Sequence, residues 1–549
     1  MQQTIDEQMV ASLRGLAMDL PALAQSGHSG TAMALSPLGW LLYSKILRHD
    51  PKWPQWPDRD RLVLSSGHAV VLLYGLLHAC GYDLTLEDLG RFREMGSRTP
   101  GHPETWMTEG IDFSTGPLGQ GLAAAVGMAY SERQLRQEFG PELVDHRTYC
   151  ICSDGDLMEG VTSEACSLAG TLGLGKLIVF YDDNQVTIDG PTSRTFTENV
   201  ALRFESYGWQ VQWIANGDNL DEIGQAIQSA QADERPSLIG IRTIIGFPAP
   251  TLSGRSEAHS PAFPADEIAQ TKQILGLNTD KRLQFPPLEA FRTAQINRGA
   301  QLSAGWKQRL ELSPHRHSWN ARLQRRWPAE YEPVSFTGSV ATRVASGLVL
   351  QNLARVAPQL LVGSADLAGS TQVQLPQPER NLNFGVREQA MAAICNGIVA
   401  HGGLVPVCST YFAFSDQMKP ALRLAALAGL PTISVWTHDS LALGEDGPTH
   451  QPVEQLATLR AMPNFWVFRP ADARECQQAW KLAWEAHCPV GLVLSRQNLP
   501  LLECQPQVDR GAYVVAEGPV GSPTLLASGS EVHLCLLARQ ALAPQLEVR

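Results

Sequence analysis

Between Tyr149 and Gly190 the chain reads YCICSDGDLMEGVTSEACSLAGTLGLGKLIVFYDDNQVTIDG. Tyr149 to Cys152 is a short apolar run bounded by polar residues, which predicts a buried strand. It ends on Ser153-Asp154-Gly155-Asp156. A helix-compatible stretch follows from Val161 to Leu172, punctuated by Gly173 and Gly175. A second apolar run, Leu177 to Tyr181, ends on Asp182-Asp183-Asn184. Strand, helix and strand within about forty residues make a βαβ unit, which is parallel and right-handed. The two strands put their carboxyl ends on one sheet edge. Asp154 and Asn184 therefore emerge side by side, where open α/β sheets bind ligands.

The same alternation runs through most of the chain. Residues 1–48 read as helices around SGHSG, with a second apolar helix from Pro37 to Leu47. After a proline-rich loop, RLVLSSGHAVVLLYGLLHACGY gives strand, turn and helix. The loop GSRTPGHPE and the turn STGPLGQG precede a small-residue helix, Leu122 to Glu132. A glycine turn feeding a helix N-terminus can seat a phosphate, although such turns also serve as plain punctuation. GWQVQWI and PSLIGIRTIIG supply two more strands, and a loop closes a first domain at residue 265. Residues 266–335 are polar and Arg/Gln-rich and predict a helical connecting arm.

A second domain spans residues 336–520. Its strands are QLLVGSADL, VPVCSTYFAF, PTISVWTHDS, FWVFRPAD and PVGLVLSR, with helices from Arg387 to Ala400, Asp416 to Ala428 and Ala473 to Glu485. Residues 521–549 predict one strand, one helix and the start of another strand, too little to bury its own faces. The fold class is α/β: two doubly wound, mostly parallel sheets covered on both faces, and part of a third α/β unit.

Composition adds limits. The 549 residues are 44% hydrophobic and 18% charged, with net charge −12. No basic run or basic amphipathic helix is present, which argues against nucleic acid or an anionic membrane as partner. An anionic substrate must then meet a local basic pocket. Ten scattered cysteines without CxxC pairs read as reduced core residues of a cytoplasmic protein. No signal-peptide core or membrane-spanning run is visible.

Several residues carry candidate chemistry. Asp154 and Asn184 beside Gly155 suit Mg²⁺ or Ca²⁺ holding phosphates; two polar loops capping a helix and a turn are the plainer reading. Six histidines lie in tight polar turns: His28, His68, His102, His259, His438 and His450. Imidazoles there can donate hydrogen bonds to a phosphorylated sugar and relay protons. Solvated loop histidines are the ordinary alternative, and zinc is disfavoured by the lack of HxxxH or HExxH spacing. Glu388 opens a buried-looking helix, where an acid is by default a cap. Tyr411 and Phe414, three apart, read first as core. Arg343 and Arg496 read first as solvated surface arginines.

Taken together, these residues resemble the thiamine-diphosphate motif, an Asp-Gly after a strand and an Asn thirty positions later. The fuller string DGDLMEG…EA…LAG…LGKLI.FYDDN…IDG resembles transketolases, as does THDSLALGEDGPTHQPVEQLATLRAMPN. The resemblance implies thiamine diphosphate with Mg²⁺, for which Ca²⁺ or Mn²⁺ could substitute. Asp154, Asn184 and the Val186 carbonyl would be metal ligands. His68, Gly116, Leu118, Gly155, Glu159 and His259 would contact the cofactor, with Tyr411 and Phe414 on its pyrimidine. Glu388 would be the key catalytic acid, because a carboxyl shielded from water can protonate the aminopyrimidine. Glu159 and Glu164 would reach toward it across a dimer interface. His28, His259, His438 and His450 would act in catalysis. His28, His102, Arg343, Ser370, His438, Asp446, His450 and Arg496 would bind substrate.

The implied activity moves a two-carbon ketol unit from a ketose phosphate to an aldose phosphate, as in the pentose phosphate pathway. The implied assembly is a homodimer with active sites at the subunit interface, and the family carries a further α/β domain after position 549. Departures are Ser153 for the motif's first glycine, Ser29 for a proline, Tyr411 for phenylalanine and Gln417 for tyrosine. The alternatives are a non-catalytic or weakly active binding or scaffold paralogue and a dihydroxyacetone-synthase-like relative. The pyruvate-using deoxyxylulose-phosphate synthases fit the histidine-rich turns less well.

Overall fold

The apolar runs form two sheets whose strands are all parallel. A computed structural model of the chain describes residues 4–543 and 545–549. They divide into two compact units, residues 1–317 and 318–549.

In the first unit the strands are β1 (Arg61–Leu64), β2 (Thr148–Ser153), β3 (Leu177–Asp183), β4 (Gln210–Ile214) and β5 (Ser237–Arg242), in the spatial order β1-β2-β3-β5-β4. Every residue of β1, β2 and β3 is buried. Near-continuous apolar runs have this fate because helices cover both faces of a parallel sheet. Helices α1 (Ile5–Ala24), α2 (Val70–Cys80), α3 (Gln120–Phe139) and α4 (Gly160–Leu172) provide part of that cover. The parallel register sets Ser153 opposite Asp182, so the acidic turns after β2 and β3 leave the same edge together.

Two elements differ from the sequence reading. The helix expected over Pro37 to Leu47 is α-helical only from Ser36 to Leu41. It continues as a π turn, Leu42–Ile46, closed by Leu47 N–H donating to the Leu42 carbonyl at 2.8 Å. The small-residue helix runs well past Glu132, because Leu135 and Phe139 continue its buried face. In the arm, Ala265–Ile274, Glu289–Leu312 (α5) and Arg316–Arg322 are helical, and residues 323–337 carry no regular element.

The second unit contains β6 (Leu360–Ser364), β7 (Asn381–Asn383), β8 (Val405–Tyr411), β9 (Ile433–Thr437), β10 (Trp466–Phe468) and β11 (Val490–Leu494), ordered β7-β6-β8-β9-β11-β10. Helix α6 (Thr342–Val356) packs on one face against α9 (Ala473–Glu485). Trp480 and Trp484 of α9 are one turn apart and fully buried. Burying a large apolar side chain contributes on the order of 2 kcal/mol. The Trp480 indole N–H also has a partner, donating to Ser346 Oγ at 2.9 Å. Helices α7 (Glu388–His401) and α8 (Ser415–Ala428) pack on each other.

The strand expected near Thr524 does not form; only the following helix, α10 (Glu531–Leu542), does. Two backbone bonds tie the segment to Arg549: Leu525 N–H donates to the Arg549 carbonyl and Arg549 N–H to the Pro523 carbonyl, both at 2.9 Å. A lone ladder step without a neighbouring sheet does not make a strand. Among the described residues, no helix is long and apolar enough to cross a membrane.

Candidate active site

The turn after β2 is built on a capping box. Ser153 N–H and Oγ both donate to Asp156 Oδ2, at 2.9 and 3.1 Å. Ser153 has extended φ, −127°, so its position does not require the glycine that the motif usually carries. Asp156 is buried and fully engaged. Its Oδ1 accepts from Ser65 Oγ at 2.6 Å and from Gly119 N–H at 2.8 Å. One acid thus binds the turns after β1 and β2 and the turn before α3. The sequence reading gave it no role, although DGD repeats the acid at the right spacing for an N-terminal cap.

Asp154 is buried beside it. Its Oδ1 accepts a hydrogen bond from the Tyr181 hydroxyl, while Oδ2 is buried without a partner. Burial pushes the Asp154 carboxyl up to about 7, opposed by Tyr181 and by the Gln185 N–H and reinforced by Asp182 and Asp183. Asn184 is locked in orientation. Its Nδ2 donates to Asp182 Oδ2 at 2.8 Å, which leaves Oδ1 as the amide oxygen, and that oxygen accepts from Val186 N–H at 3.0 Å. Val186 pairs with Pro191 in a two-residue hairpin.

These atoms fit a hard cation shared with a diphosphate. A buried carboxylate oxygen without a partner and an oriented amide oxygen are both hard donors. Among the described residues no group of three His, Cys, Asp or Glu could hold a metal by themselves. Further ligands must then come from backbone or from a bound phosphate. Gly155 leaves the cradle open: a Cβ there would come within 2.8 Å of Leu118 Cδ1.

Four of the predicted histidines come together in this unit. Ring centroids lie 4.7 Å apart for His68 and His259, 5.3 Å for His28 with each of these, and 6.3 Å for His28 with His102. Gly30 permits the approach of two of the turns, since a Cβ there would sit 2.4 Å from the Ala258 carbonyl oxygen. Gly116 lies against the His102 ring. Burial pushes all four imidazoles down, His28 to about 4, helped by its neighbours His259, Arg93 and His102. A cluster of neutral imidazoles can donate at one nitrogen and accept at the other. Glu159 is exposed at the start of α4 and flanks the Gly119 turn.

The second unit holds the other predicted residues. Glu388 is buried at the start of α7, and its Oε1 accepts from Thr410 Oγ1 at 3.0 Å. Tyr411 and Phe414 stack with centroids 6.1 Å apart. Tyr411 lies 3.9 Å from His438, and Phe414 5.1 Å from His450. His438 is buried in left-handed backbone, φ 62°, and burial together with Arg343 and Arg496 pushes it down to about 4. Arg343 Nη1 donates to the Ser370 carbonyl at 2.8 Å, and its Nε is buried without a partner. Arg496 pairs with Glu445, next to the exposed Asp446. Thr410 and Tyr181 escaped the sequence reading; both lie on apolar strands, where nothing local marks one hydroxyl as a partner of an acid far along the chain.

Two α/β units, one with a diphosphate-type cradle and the other with a buried acid beside an aromatic pair, define a thiamine-diphosphate-dependent enzyme. The sequence matches the family "Transketolase, thiamine diphosphate binding domain" over residues 5–331 and "Transketolase, pyrimidine binding domain" over residues 338–501. The chain belongs to the transketolase family. It is 46% identical to transketolase from Halalkalibacterium halodurans and to that from Geobacillus stearothermophilus, each alignment covering 99% of this chain and 86% of the relative. Its structure superposes on transketolase from Campylobacter jejuni with a TM-score of 0.96 at 41% identity, covering 100% of this chain and 88% of the other. For transketolase from Leishmania mexicana the values are 0.96, 39%, 100% and 86%. The chain is a transketolase-type enzyme that transfers a two-carbon ketol unit between sugar phosphates.

Proposed function

We propose that this chain works with thiamine diphosphate and Mg²⁺, and that Asp154 Oδ2, Asn184 Oδ1 and the Val186 carbonyl hold the cation. The observation that carries this is the unpartnered, buried Oδ2 of Asp154 beside an amide whose oxygen end is fixed by Asp182. An unpaired carboxylate oxygen is costly to bury, and a cation with bound phosphates offsets the cost. Gly116, Leu118, Gly155, Glu159, His68 and His259 would flank the cofactor.

When bound, thiamine diphosphate supplies a nucleophilic ring carbon and then an electron sink for breaking a ketose C–C bond. Glu388, held by Thr410, would hold the aminopyrimidine by its ring nitrogen and supply the proton there, and Tyr411 and Phe414 would offer aromatic faces to that ring. His28 and His259, held neutral, exchange hydrogen bonds with the reacting carbonyl and hydroxyl oxygens. His102 and Asp446 read sugar hydroxyls. His438 and His450 move protons at the substrate. Arg343, steadied by the Ser370 carbonyl, and Arg496 take the phosphate; Arg496 must first exchange Glu445 for it.

We further propose a homodimer with its active sites at the subunit interface. The cradle and the four-histidine cluster are built wholly by the first unit, the Glu388 set wholly by the second, and the resemblance assigns the two sets to opposite chains. A cytoplasmic place in the pentose phosphate pathway follows from the same resemblance. The test is turnover of xylulose 5-phosphate with ribose 5-phosphate, with and without thiamine diphosphate and Mg²⁺, alongside light scattering. Turnover independent of cofactor and cation, or full activity as a monomer, would overturn the corresponding proposal.

A further inference from the structure

Thr437 has no part in the reading above, yet its side chain meets the ring of His438. It is the last residue of β9, is fully buried, and lies in register between Tyr411 of β8 and Leu494 of β11. Its Oγ1 stands 2.8 Å from His438 Nδ1. The strand ends there, and His438 leaves it in left-handed backbone, φ 62°. A residue other than glycine persists in that region only where its surroundings hold it. Tyr411 braces the same ring from another side, with centroids 3.9 Å apart. Thr449 and His450 repeat the pairing at 2.9 Å on an exposed turn, where water can take the place of the hydroxyl.

The buried pair can arrange its protons in two ways. His438 is neutral, because burial, Arg343 and Arg496 together disfavour its cation against the pull of Asp446. One ring nitrogen therefore carries a proton and the other is bare. If Nδ1 carried it, the threonine oxygen would accept, and the hydroxyl's own proton would point into the interior. Among the described residues Oγ1 has no other hydrogen-bond partner to receive that proton. A buried donor without an acceptor is costly. If the hydroxyl donates to a bare Nδ1 instead, both groups are satisfied, and the ring proton stands on Nε2. We propose that Thr437 is a positioning residue: by donating to Nδ1 it fixes His438 in the Nε2–H form, which makes the ring a hydrogen-bond donor to an oxygen of the sugar phosphate. The inference rests on His438 being a substrate residue.

The full chain is compared as wild type, Thr437→Val, Thr437→Ser and His438→Asn. Nitrogen-15 NMR of histidine-labelled protein near neutral pH reads which ring nitrogen is protonated, and the His438 signals are assigned by their loss in His438→Asn. Wild type and Thr437→Ser should show a protonated Nε2 and a bare Nδ1, and Thr437→Val a mixture of the two forms. A proton on Nδ1 in wild type overturns the inference, and this reading needs no variant of Thr437 to fold. Turnover of xylulose 5-phosphate with ribose 5-phosphate is the second measurement. Thr437→Val should lower kcat/KM about tenfold, the scale of one hydrogen bond, mainly through KM, and Thr437→Ser should recover it. A merely structural threonine would lower the melting temperature and leave the ring's protonated nitrogen unchanged, and that result overturns the inference. Thr437→Val matching wild type in both measurements, with His438→Asn impaired, overturns the role of Thr437 and leaves His438 standing. Undiminished kcat/KM in His438→Asn overturns the reading of His438 itself.

Discussion

Thr410 Oγ1 donates to Glu388 Oε1 across 3.0 Å, and both side chains are buried. One residue is the last but one of strand β8 and the other opens helix α7, so the contact fixes the rotation of a carboxyl that neither element could fix alone. With Oε1 accepting from Thr410, Oε2 is the oxygen left for the role proposed above.

Glu388→Gln is expected to bind thiamine diphosphate and to lose activity by about 10²- to 10⁴-fold, the usual range for a general acid. The amide fills similar space but cannot deliver a proton. Thr410→Val should lose less, about tenfold, and Thr410→Ser should recover. Exchange of the thiazolium C2 proton followed by NMR reads the step directly. Exchange as fast in Glu388→Gln as in wild type removes Glu388 from this role.

Ser29 is fully buried and its hydroxyl has no partner. A buried unsatisfied hydroxyl costs about 1–3 kcal/mol. Ser29→Ala should therefore raise cofactor-free stability, by on the order of 1 kcal/mol after the small loss of packing. Urea unfolding measures it, and a clear loss of stability would mean that the hydroxyl has found a partner in solution.

His49 is buried away from the active-site residues. Its Nε2 lies 3.2 Å from the Tyr43 carbonyl, which can only accept, so Nε2 carries the proton and Nδ1 accepts from Tyr82 Oη at 3.0 Å. Burial pushes this imidazole down to about 4, against the pull of the Tyr43 carbonyl. Below pH 6.5 the unfolded chain takes up a proton that the folded chain refuses until about pH 4. Stability from this group is complete above pH 6.5 and is lost as pH falls toward 4, at up to about 1.4 kcal/mol per pH unit. His49→Gln removes that dependence. Urea unfolding at pH 7, 6 and 5 should show the advantage of wild type over the variant shrinking with acidity; a constant difference would mean that His49 titrates normally.

Arg469 joins the final segment to the second unit. It pairs with buried Asp439 at 2.8 Å and with Glu531, and donates to the Ser528 carbonyl at 2.9 Å. Removing one partner of a buried pair strands the other, at about 3–5 kcal/mol. Arg469→Leu should destabilise the second unit by that order and loosen residues 520–549. Limited thermolysin digestion should cut within that stretch sooner than in wild type. An unchanged cleavage pattern with unchanged stability would show that Asp439 is not dependent on Arg469.

The sequence by itself determined the α/β class, the βαβ unit around Asp154 and Asn184, and the residue types gathered in each unit. Strand length, glycine punctuation and acids after strands act over a few residues and are visible in the string. Only the tertiary structure decided which oxygen of Asp154 is bare, because its hydroxyl partner Tyr181 lies 27 residues away on the adjacent strand. Asp156 reads as one more polar turn residue until Ser65, 91 positions earlier, closes on it. The neutral state of His28 likewise depends on burial and on His259 and Arg93, which come from distant turns. The run at Thr524 has the composition of a strand and does not become one, since a strand exists only where a neighbour supplies the ladder. Hydrogen-bond partners and desolvation are properties of the packed chain, and no local window of sequence contains them.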